Sequence, residues 1–390
     1  MTFIYKGVFK IKELQMERNK MVMDIYEGKK PKRVPIHLKI GMEAAMQYCG
    51  YDLKLAQWNP EYIYPTFQKF SSMLPSDFCP VVYSWRLPAL YDFLGAKAFI
   101  MGSNGNIQHP EMQSLYAEEY DDFIKDPYKV MVQKCLPRLY TALDTASERR
   151  SFVFAKALNV YHDTYLKIFS EIDKVIDEHE FINIPVHECV APFDVLADLL
   201  RSFSGISLDM RRCPEKIAEA ASALVPLCIK IATADGFPDK TKVMFPIHMP
   251  PFMSEKQFEK LYWPSLKQVM DGITKKGYTI SLFLEGDCTR FLDFWKELPP
   301  LTELTFEYGN PEFLKKNLGE KYVLRGLFPL NTARSLREEQ CINELKRFID
   351  VMAPDGKYIF GFDKSPMALG DLNIKNFRAI CNYIIENTNY

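Results

Sequence analysis

Short apolar runs rich in β-branched and aromatic residues alternate with amphipathic segments along most of the chain. Eight runs predict β-strands: "RVPIHLKI", "SDFCPVVYS", "FINIPVHECV", "KVMFPIHM", "YTISLFLEGD", "LTELTFEYG", "KYVLRGLFP" and "KYIFGFDKSP". Helical spacing predicts helices near 12–28, 60–74, 192–203, 214–235, 254–275, 288–297, 310–318, 336–352 and 371–387. Eight strands, mostly followed by helices, are typical of an α/β fold of the (β/α)₈ type, the TIM barrel.

One stretch interrupts this alternation between the second and third predicted strands. It contains "LGAKAFIMGSNGN" and a segment that is predicted to be helical from about residue 127. No flexible linker, low-complexity segment or short repeat marks a domain boundary. We therefore predict a single barrel domain over residues 1–390, with an N-terminal helical extension and a helical insertion at about 86–180 that caps the barrel.

Polar and charged side chains recur where the predicted strands end. The carboxyl ends of barrel strands converge on one face and carry the active site, so these side chains are expected to share a pocket. In chain order they are His187, Glu188, His248, Glu285, Asp287, Glu307, Arg325, Asp363 and Lys364.

The fifth predicted strand ends in two carboxylates around a glycine. Gly286 is expected to form the turn, and Asp287 to cap the helix that begins near Thr289. Glu285 directly closes an apolar run, where a carboxylate must be paired, protonated or bound to a metal. We favour a functional role for Glu285, either protonating a leaving oxygen or helping to hold a metal that polarises it.

Composition and charge narrow the classes of partner. The 390 residues include 49 Lys and Arg against 50 Asp and Glu, so the net charge of -1 gives no global attraction to nucleic acid or to an anionic membrane. The nine cysteines are scattered without C-x-x-C spacing, which argues against a disulfide framework. No signal-peptide core or apolar run of membrane-spanning length is present. We expect a cytoplasmic protein.

Five segments carry a family resemblance: "SDFCPVV", "LLRSFSGISLDMRRCPEKIAEA", "FMSEKQFEKLYWPSLKQVMDGITKKGYTI", "LRGLFP" and "DLNIKNFRAICNYI". In order and spacing they resemble the uroporphyrinogen decarboxylase superfamily, which includes barrel methyltransferases that move methyl groups to and from corrinoid proteins. "LEGD", "EEYDDFIKDP" and "LPR" are similar to a branch on the methyl-donor side of corrinoid-dependent demethylation. The resemblance also implies a homodimer.

The departures from the superfamily pattern fall at functional positions. The arginine-rich motif that holds propionate groups is replaced by "PIHLKIGMEAAMQYCGYD", and Asp77 alone matches the substrate-handling carboxylate, which disfavours decarboxylation of a tetrapyrrole. Zinc-dependent relatives use a His-x-Cys pair where this chain has Phe283 and Glu285, and a later Cys where it has Asp363. A sulfur-rich zinc site and a thiol methyl acceptor are therefore disfavoured.

The resemblance implies a methyltransferase that moves a methyl group from a small O- or N-methylated compound to the Co(I) corrinoid, a cobalamin, of a partner protein. The candidate catalytic residues are Glu285, His248, His187, Glu307 and Asp363. The candidate substrate-binding residues are Asp77, Trp85, Arg86, Tyr161, Arg325 and Phe283. Whether zinc or another divalent metal takes part stays open, with His248, Glu285 and Glu307 as its candidate ligands.

Two alternatives remain at this point. One is a decarboxylase of a smaller carboxylated substrate, which relies on Asp77, Arg86 and Arg325. The other is a non-catalytic barrel that binds a small molecule or a corrinoid partner. Loss of the arginine motif counts against the first alternative, and the retained carboxylates and histidines at strand ends count against the second.

Overall fold

The computed structural model describes residues 12–84, 86–234 and 242–390. In these ranges the α-helices are α1 Glu13–Tyr26, α2 Met42–Tyr48, α3 Leu53–Ala56, α4 Ile63–Met73, α5 Pro88–Leu94, α6 Tyr120–Lys125, α7 Pro127–Val130, α8 Leu136–Leu139, α9 Ser147–His179, α10 Pro192–Asp194, α11 Phe203–Arg212, α12 Pro214–Ala232, α13 Glu255–Gln257, α14 Trp263–Thr274, α15 Leu292–Trp295, α16 Pro311–Leu318, α17 Leu330–Ser335, α18 Glu338–Met352 and α19 Ile374–Asn387.

The strands are β1 Ile40–Gly41, β2 Val81–Val82, β3 Ile100–Met101, β4 Ile107–Gln108, β5 Val186–Glu188, β6 Lys242–Ile247, β7 Thr279–Leu284, β8 Glu303–Phe306, β9 Val323–Arg325 and β10 Tyr358–Ile359. Seven of the eight predicted runs contain one strand each, and the first run ends on Ile40, the first residue of β1. Short 3₁₀ and π-helical turns extend several helices, among them the π-helical segments Val195–Arg201 and Phe258–Tyr262. No helix in the described part of the chain is both long and apolar enough to cross a membrane.

The chain divides into two compact units. The first unit comprises Leu87–Leu166 and Val186–Ile280. The second unit comprises Lys167–Pro185, Ser281–Tyr390 and the described residues up to Arg86. Both units are mixed α/β structures, as the alternating sequence pattern predicts.

Parallel pairing dominates the second unit. β7 pairs with β8, β8 with β9 and β9 with β10, all in parallel, and β1 pairs in parallel with β2. Ile36, in the first predicted strand, forms a parallel bridge with Phe360, just after β10. The first and last predicted strands are therefore neighbours. Most side chains of these strands are buried on both faces, as is usual for parallel strands, and Leu284, Leu304 and Phe360 are fully enclosed.

The first unit contains the long insertion together with two parallel strands. β5 pairs with β6, and His187 lies opposite Val243. The insertion is mainly helical, as predicted, but it also contains the antiparallel hairpin of β3 and β4. The sequence "GSNG" makes this hairpin turn, because Gly105 adopts a φ of +85° and the Asn104 side chain accepts a hydrogen bond from the N–H of Asn106.

Candidate functional site

The first unit contains an apolar cavity of about 460 Å³ that is partly open to solvent. Its volume lies within the usual range of small-molecule sites, about 300–1,000 Å³. Its walls come from the insertion, from the end of β5, and from the helical segments that follow β5. The lining residues are Ala98, Phe99, His109, Met112, Tyr128, Met131, Val132, Cys135, Leu136, Leu139, Tyr140, Glu188, Cys189, Val190, Val195, Asp198, Leu199, Leu200, Leu224, Leu227, Cys228 and Ile231. Aliphatic and aromatic side chains form most of this surface, so the cavity suits an apolar molecule.

A histidine and an aspartate pair beside this cavity. His248 directly follows β6, and its Nδ1 lies 2.6 Å from Oδ2 of Asp198, which lines the cavity from the π-helical segment Val195–Arg201. Both side chains are partly exposed. A carboxylate bound to one imidazole nitrogen fixes the ring orientation and stabilises the protonated form, so the pair can hold and transfer a proton.

A second aspartate anchors the backbone of this histidine. Asp194 is fully buried and accepts hydrogen bonds from the Tyr262 hydroxyl at 2.6 Å, from the His248 N–H at 3.1 Å and from the Met249 N–H at 3.2 Å. Burial and, to a lesser extent, the nearby charge of Asp198 raise the pKa of the Asp194 carboxyl to about 7, although His248 and the hydrogen bonds oppose this shift. Asp194 therefore links helix α10, the loop after β6 and Tyr262.

The other candidates in the first unit lie in less enclosed positions. His187 is half-buried on β5, and burial lowers the pKa of its imidazole. The next residue, Glu188, lines the cavity. Tyr161 lies on α9, where its ring stacks on Tyr165 with a centroid separation of 5.8 Å, and it is not among the residues that line this cavity.

In the second unit, a hydrogen bond links the loop after β7, which carries Glu285, to the side chain of Glu307. Glu285 is partly buried at the end of β7, and Gly286 makes the turn with a φ of +63°, as predicted. Oε2 of Glu307 accepts the Gly286 N–H at 2.7 Å. Glu307 thus holds the turn that carries Glu285. Asp287 accepts hydrogen bonds from the N–H and hydroxyl of Thr289, but Cys288 occupies the N-cap position of the short helical turn Thr289–Phe291, so Asp287 stabilises the approach to this turn one residue before the predicted cap.

Asp363 and Lys364 follow β10 in the same unit. Oδ1 of Asp363 accepts the backbone N–H groups of Leu330 and Lys364, each at 2.8 Å, and burial raises the pKa of this carboxyl. Nζ of Lys364 donates to the Tyr308 hydroxyl and lies 4.1 Å from the centroid of that ring. Asp363 thereby fixes the chain after β10, while a proton-transfer role for it stays a prediction.

Three predicted substrate-binding residues of the second unit have aromatic or ionic neighbours. Arg325 forms an ion pair with Glu303, and the Phe283 ring lies under the Lys39 ammonium. The backbone carbonyl of Arg86 accepts a hydrogen bond from the Tyr83 hydroxyl. Trp85, also a candidate, lies outside the described residues.

Asp77 has a structural environment. Its side chain is 1% exposed, and its two oxygens accept hydrogen bonds from the Arg33 guanidinium at 2.7 and 2.8 Å and from the Ile36 N–H at 2.8 Å. Arg18 adds a second cation at 3.5 Å. With its carboxylate occupied by protein donors, Asp77 ties the first predicted strand to the loop before β2. These contacts account for Asp77 without a substrate.

Replacing Asp77 by asparagine is expected to lower the free energy of unfolding by about 3 kcal/mol, because the variant leaves Arg33, whose side chain is only 14% exposed, without its charge partner. Urea unfolding measures the loss. Asp293→Asn is the matched control, since Asp293 is 93% exposed and pairs with Lys296 at the surface. Equal stabilities for the two variants would contradict the structural role of Asp77.

The predicted metal ligands have no matching geometry in the described ranges, where no group of three or more His, Cys, Asp or Glu side chains is arranged to hold a metal ion. His248 belongs to the first unit and Glu285 and Glu307 to the second. A metal-dependent mechanism therefore stays a prediction. The observed hydrogen bonds support a mechanism in which side chains transfer the proton.

Sequence reasoning missed the partners of His248. Asp194 and Asp198 are four residues apart in "PFDVLAD", directly after the third predicted strand, so a helix places both carboxylates on one face. That spacing was the available signal. No local sequence pattern pointed to Tyr262, because it is 68 residues away in sequence from Asp194, to which its hydroxyl donates.

Comparison with known proteins supplies the family. The family model for uroporphyrinogen decarboxylase (URO-D) matches residues 179–381, which is just over half of the 390-residue chain. A comparison with curated proteins found no match. The matched region includes both carboxylates that contact His248, the loop after β7, and Asp363. The chain belongs to the uroporphyrinogen decarboxylase family.

Proposed function

We propose that this protein is a methyltransferase, built on a (β/α)₈ barrel, that moves a methyl group from a small O- or N-methylated compound to the Co(I) corrinoid of a partner protein. Membership of the uroporphyrinogen decarboxylase family supports both the fold and the general reaction class. The hydrogen bond of 2.6 Å between His248 and Asp198 is the observation that carries the proposal, because Asp198 lines the apolar cavity and holds the histidine next to it.

The cavity indicates which methyl compounds fit. Leu199, Leu224, Leu227 and Met131 present apolar surface, while Glu188 and Asp198 provide carboxylates at the lining. Enclosing a strongly hydrated group without hydrogen-bonding partners is costly, whereas an aromatic or aliphatic body is favourably buried. The proposed substrate is therefore a methyl ether or methylamine with an apolar skeleton. The carboxylates lie within reach of its polar atom or of a protonated amine.

The reaction requires a proton at the leaving atom. The electron pair of Co(I) forms the new bond to the methyl carbon, and the bond from that carbon to oxygen or nitrogen breaks. The leaving atom keeps the bonding electrons, and a proton from the protein converts it to an alcohol, a phenol or an amine. We assign this proton to His248 Nε2, because Asp198 binds Nδ1 and so orients the ring. Asp194 fixes the backbone of the same histidine.

Glu285 is a second candidate proton donor, based on the family resemblance. It occupies the position where zinc-using relatives keep a cysteine, and it closes an apolar strand. Glu307 acts on it as a positioning residue through the Gly286 N–H. Variants of His248 and Glu285 measured under the same conditions separate the two assignments, since the proton donor is the residue whose loss lowers the rate of the chemical step.

The decarboxylase alternative has weaker support. It relied on Asp77, Arg86 and Arg325, yet Asp77 is engaged with Arg33, and Arg325 is paired with Glu303. A carboxylated substrate needs cations that protein carboxylates do not already neutralise, and Arg325, on which this alternative relied, already has Glu303 as a partner. The apolar cavity also provides no cation from Lys or Arg among its lining residues.

The cavity assignment is tested by narrowing the cavity. Leu227→Trp is expected to raise the KM for an apolar aromatic methyl ether by about tenfold or more, because the larger side chain occupies space that the substrate needs. Methyl transfer is followed as the loss of Co(I) absorbance, with reduced cobalamin as acceptor. Leu208→Trp is the matched control, since Leu208 lies on α11 in the same unit and is largely exposed.

An unchanged KM in Leu227→Trp would remove the cavity from the substrate path. The same assay includes tetramethylammonium as a permanently charged methyl donor of small size. Preferential turnover of that compound over every apolar donor would contradict the assigned substrate class.

A further inference from the structure

A small cavity in the second unit collects positively charged and hydrogen-donating groups. Its volume is about 20 Å³, just above the ~10–15 Å³ that one water molecule needs. The first predicted strand forms one wall, and residues at the ends of β9 and β10 form another. The polar lining residues used below are His37, Lys39, Arg325, Asp363 and Lys364.

Lys39 brings a cation that has no anionic hydrogen-bonding partner. Its Nζ lies 5.3 Å from the centroid of the Phe283 ring, and no oxygen atom in the described parts of the chain accepts a hydrogen bond from it. Burial lowers the pKa of the Lys39 ammonium, while attraction to Glu303 opposes that shift. The residue also adopts a φ of +56°, an unfavourable conformation for a side chain with a Cβ, which commonly persists at binding sites.

Arg325 provides a second, partly satisfied cation. Its Nη1 donates to Oε1 of Glu303 at 2.9 Å, and its guanidinium lies 5.3 Å from the centroid of the Phe78 ring. Its Nη2 is buried and has no hydrogen-bonding partner among the residues that the structure describes. The side chain is only 11% exposed, so an unused donor carries a desolvation cost that a ligand would remove.

His37 adds a third group without a partner. The His37 ring stacks on Phe78 with a centroid separation of 4.3 Å and an interplanar angle of 10°. Phe78 is the same ring that contacts the Arg325 guanidinium. The His37 Nδ1 is buried and forms no hydrogen bond within the described ranges of the chain. When the proton resides on Nδ1, this atom is a donor. Phe78 therefore supports both His37 and Arg325 beside one cavity.

The charged groups around this cavity indicate a ligand that carries a single negative charge. Lys39 and Arg325 together carry two positive charges, and Glu303 neutralises one of them. Asp363 and Lys364, which also line the cavity, form an adjacent pair of opposite charges. We propose that this cavity binds one compact monoanion, either a halide or the carboxylate group of a small acid, through Lys39, Arg325 and His37. The site is independent of the methyl-transfer proposal.

Calorimetric titration of the full-length protein with sodium formate and with sodium chloride, in a buffer of bulky anions, tests this site. We expect saturable binding of formate, and Lys39→Met should weaken it by about tenfold or more, because a charge-assisted hydrogen bond is lost. Lys69→Met is the matched control: Lys69 also lies over an aromatic ring, 5.0 Å from the Tyr48 centroid, but it is exposed. That variant should keep the wild-type affinity.

Competition distinguishes the two sources of the anion. If chloride displaces formate, the site accepts free monoanions in general; if formate binds and chloride does not, the site recognises a carboxylate group. His37→Phe preserves the stacking on Phe78 and removes Nδ1, so it gives an independent loss of affinity even if Lys39→Met does not fold. Absence of saturable binding by either anion, or equal affinities in the Lys39 and Lys69 variants, would overturn the proposal.

Discussion

Replacing His248 by glutamine is expected to lower the rate of methyl transfer by about 10²- to 10⁴-fold, the range usual for losing a general acid. Glutamine keeps a polar side chain of similar length but cannot deliver a proton from an imidazolium. Its effect should appear in kcat and in kcat/KM alike, because protonation of the leaving atom belongs to the transition state. Single-turnover decay of Co(I) measures the chemical step directly.

The matched control for this variant is His162→Gln. His162 also has an aspartate next to its Nδ1, Asp163 at 3.4 Å, but both residues lie on α9 and neither lines the cavity. We expect the wild-type rate in this control. Asp198→Asn should give an intermediate rate, because the ring remains while its charged orienting partner is lost. A rate in His248→Gln within about twofold of wild type would reject His248 as the proton donor, since the general-acid contribution is about 10² or more.

The second large effect concerns the pH dependence of stability and rests on Asp194. Burial raises the pKa of this carboxyl in the folded protein to about 7, whereas an unfolded aspartate titrates near 3.9. At a pH between these two pKa values, the folded state therefore keeps a proton on Asp194, whereas the unfolded state has released it. This contribution is fully present below about pH 4, declines as the pH rises, and is lost above about pH 7.

Asp194→Asn removes this titration while keeping an acceptor oxygen for the Tyr262 hydroxyl. The difference in unfolding free energy between the wild type and the variant should change by roughly 4 kcal/mol at most from pH 4 to pH 8, in the direction of a relatively weaker wild type at high pH. Urea unfolding at several pH values measures this difference. Asp271→Asn is the control, because Asp271 pairs with Lys267 in a partly exposed position. Parallel pH profiles for the wild type and Asp194→Asn would contradict the raised pKa.

Local patterns predicted most of the secondary structure. Periodicity placed a helix near 214–235, and α12 runs over Pro214–Ala232. The apolar run "KVMFPIHM" predicted the strand that appears as β6 Lys242–Ile247. These elements could be predicted because their burial pattern and propensities agree within a single segment. The hairpin of β3 and β4 was missed, since strands of two residues leave too short a pattern to detect.

The candidate site was only partly accessible to the same reasoning. His248 and Glu285 were identified because strand ends are exceptional positions for ionisable groups. The bond between His248 and Asp198 joins residues 50 positions apart, and its formation depends on how the segment after β5 packs beside β6. The positive φ of Lys39 was equally hidden, because left-handed backbone at a lysine is imposed by tertiary contacts and not by the residue itself.

The fate of the methyl carbon tests the central claim most directly. The purified protein is incubated with Co(I) cobalamin, free or on a carrier protein, and with an apolar methyl ether whose methyl carbon is isotopically labelled; that ether also bears a carboxyl group with a different label. We predict that the methyl label appears on cobalt in a one-to-one ratio with Co(I) consumed, and that the carboxyl label stays on the demethylated product. Release of the carboxyl label as carbon dioxide without label on cobalt would contradict the account and favour a decarboxylase.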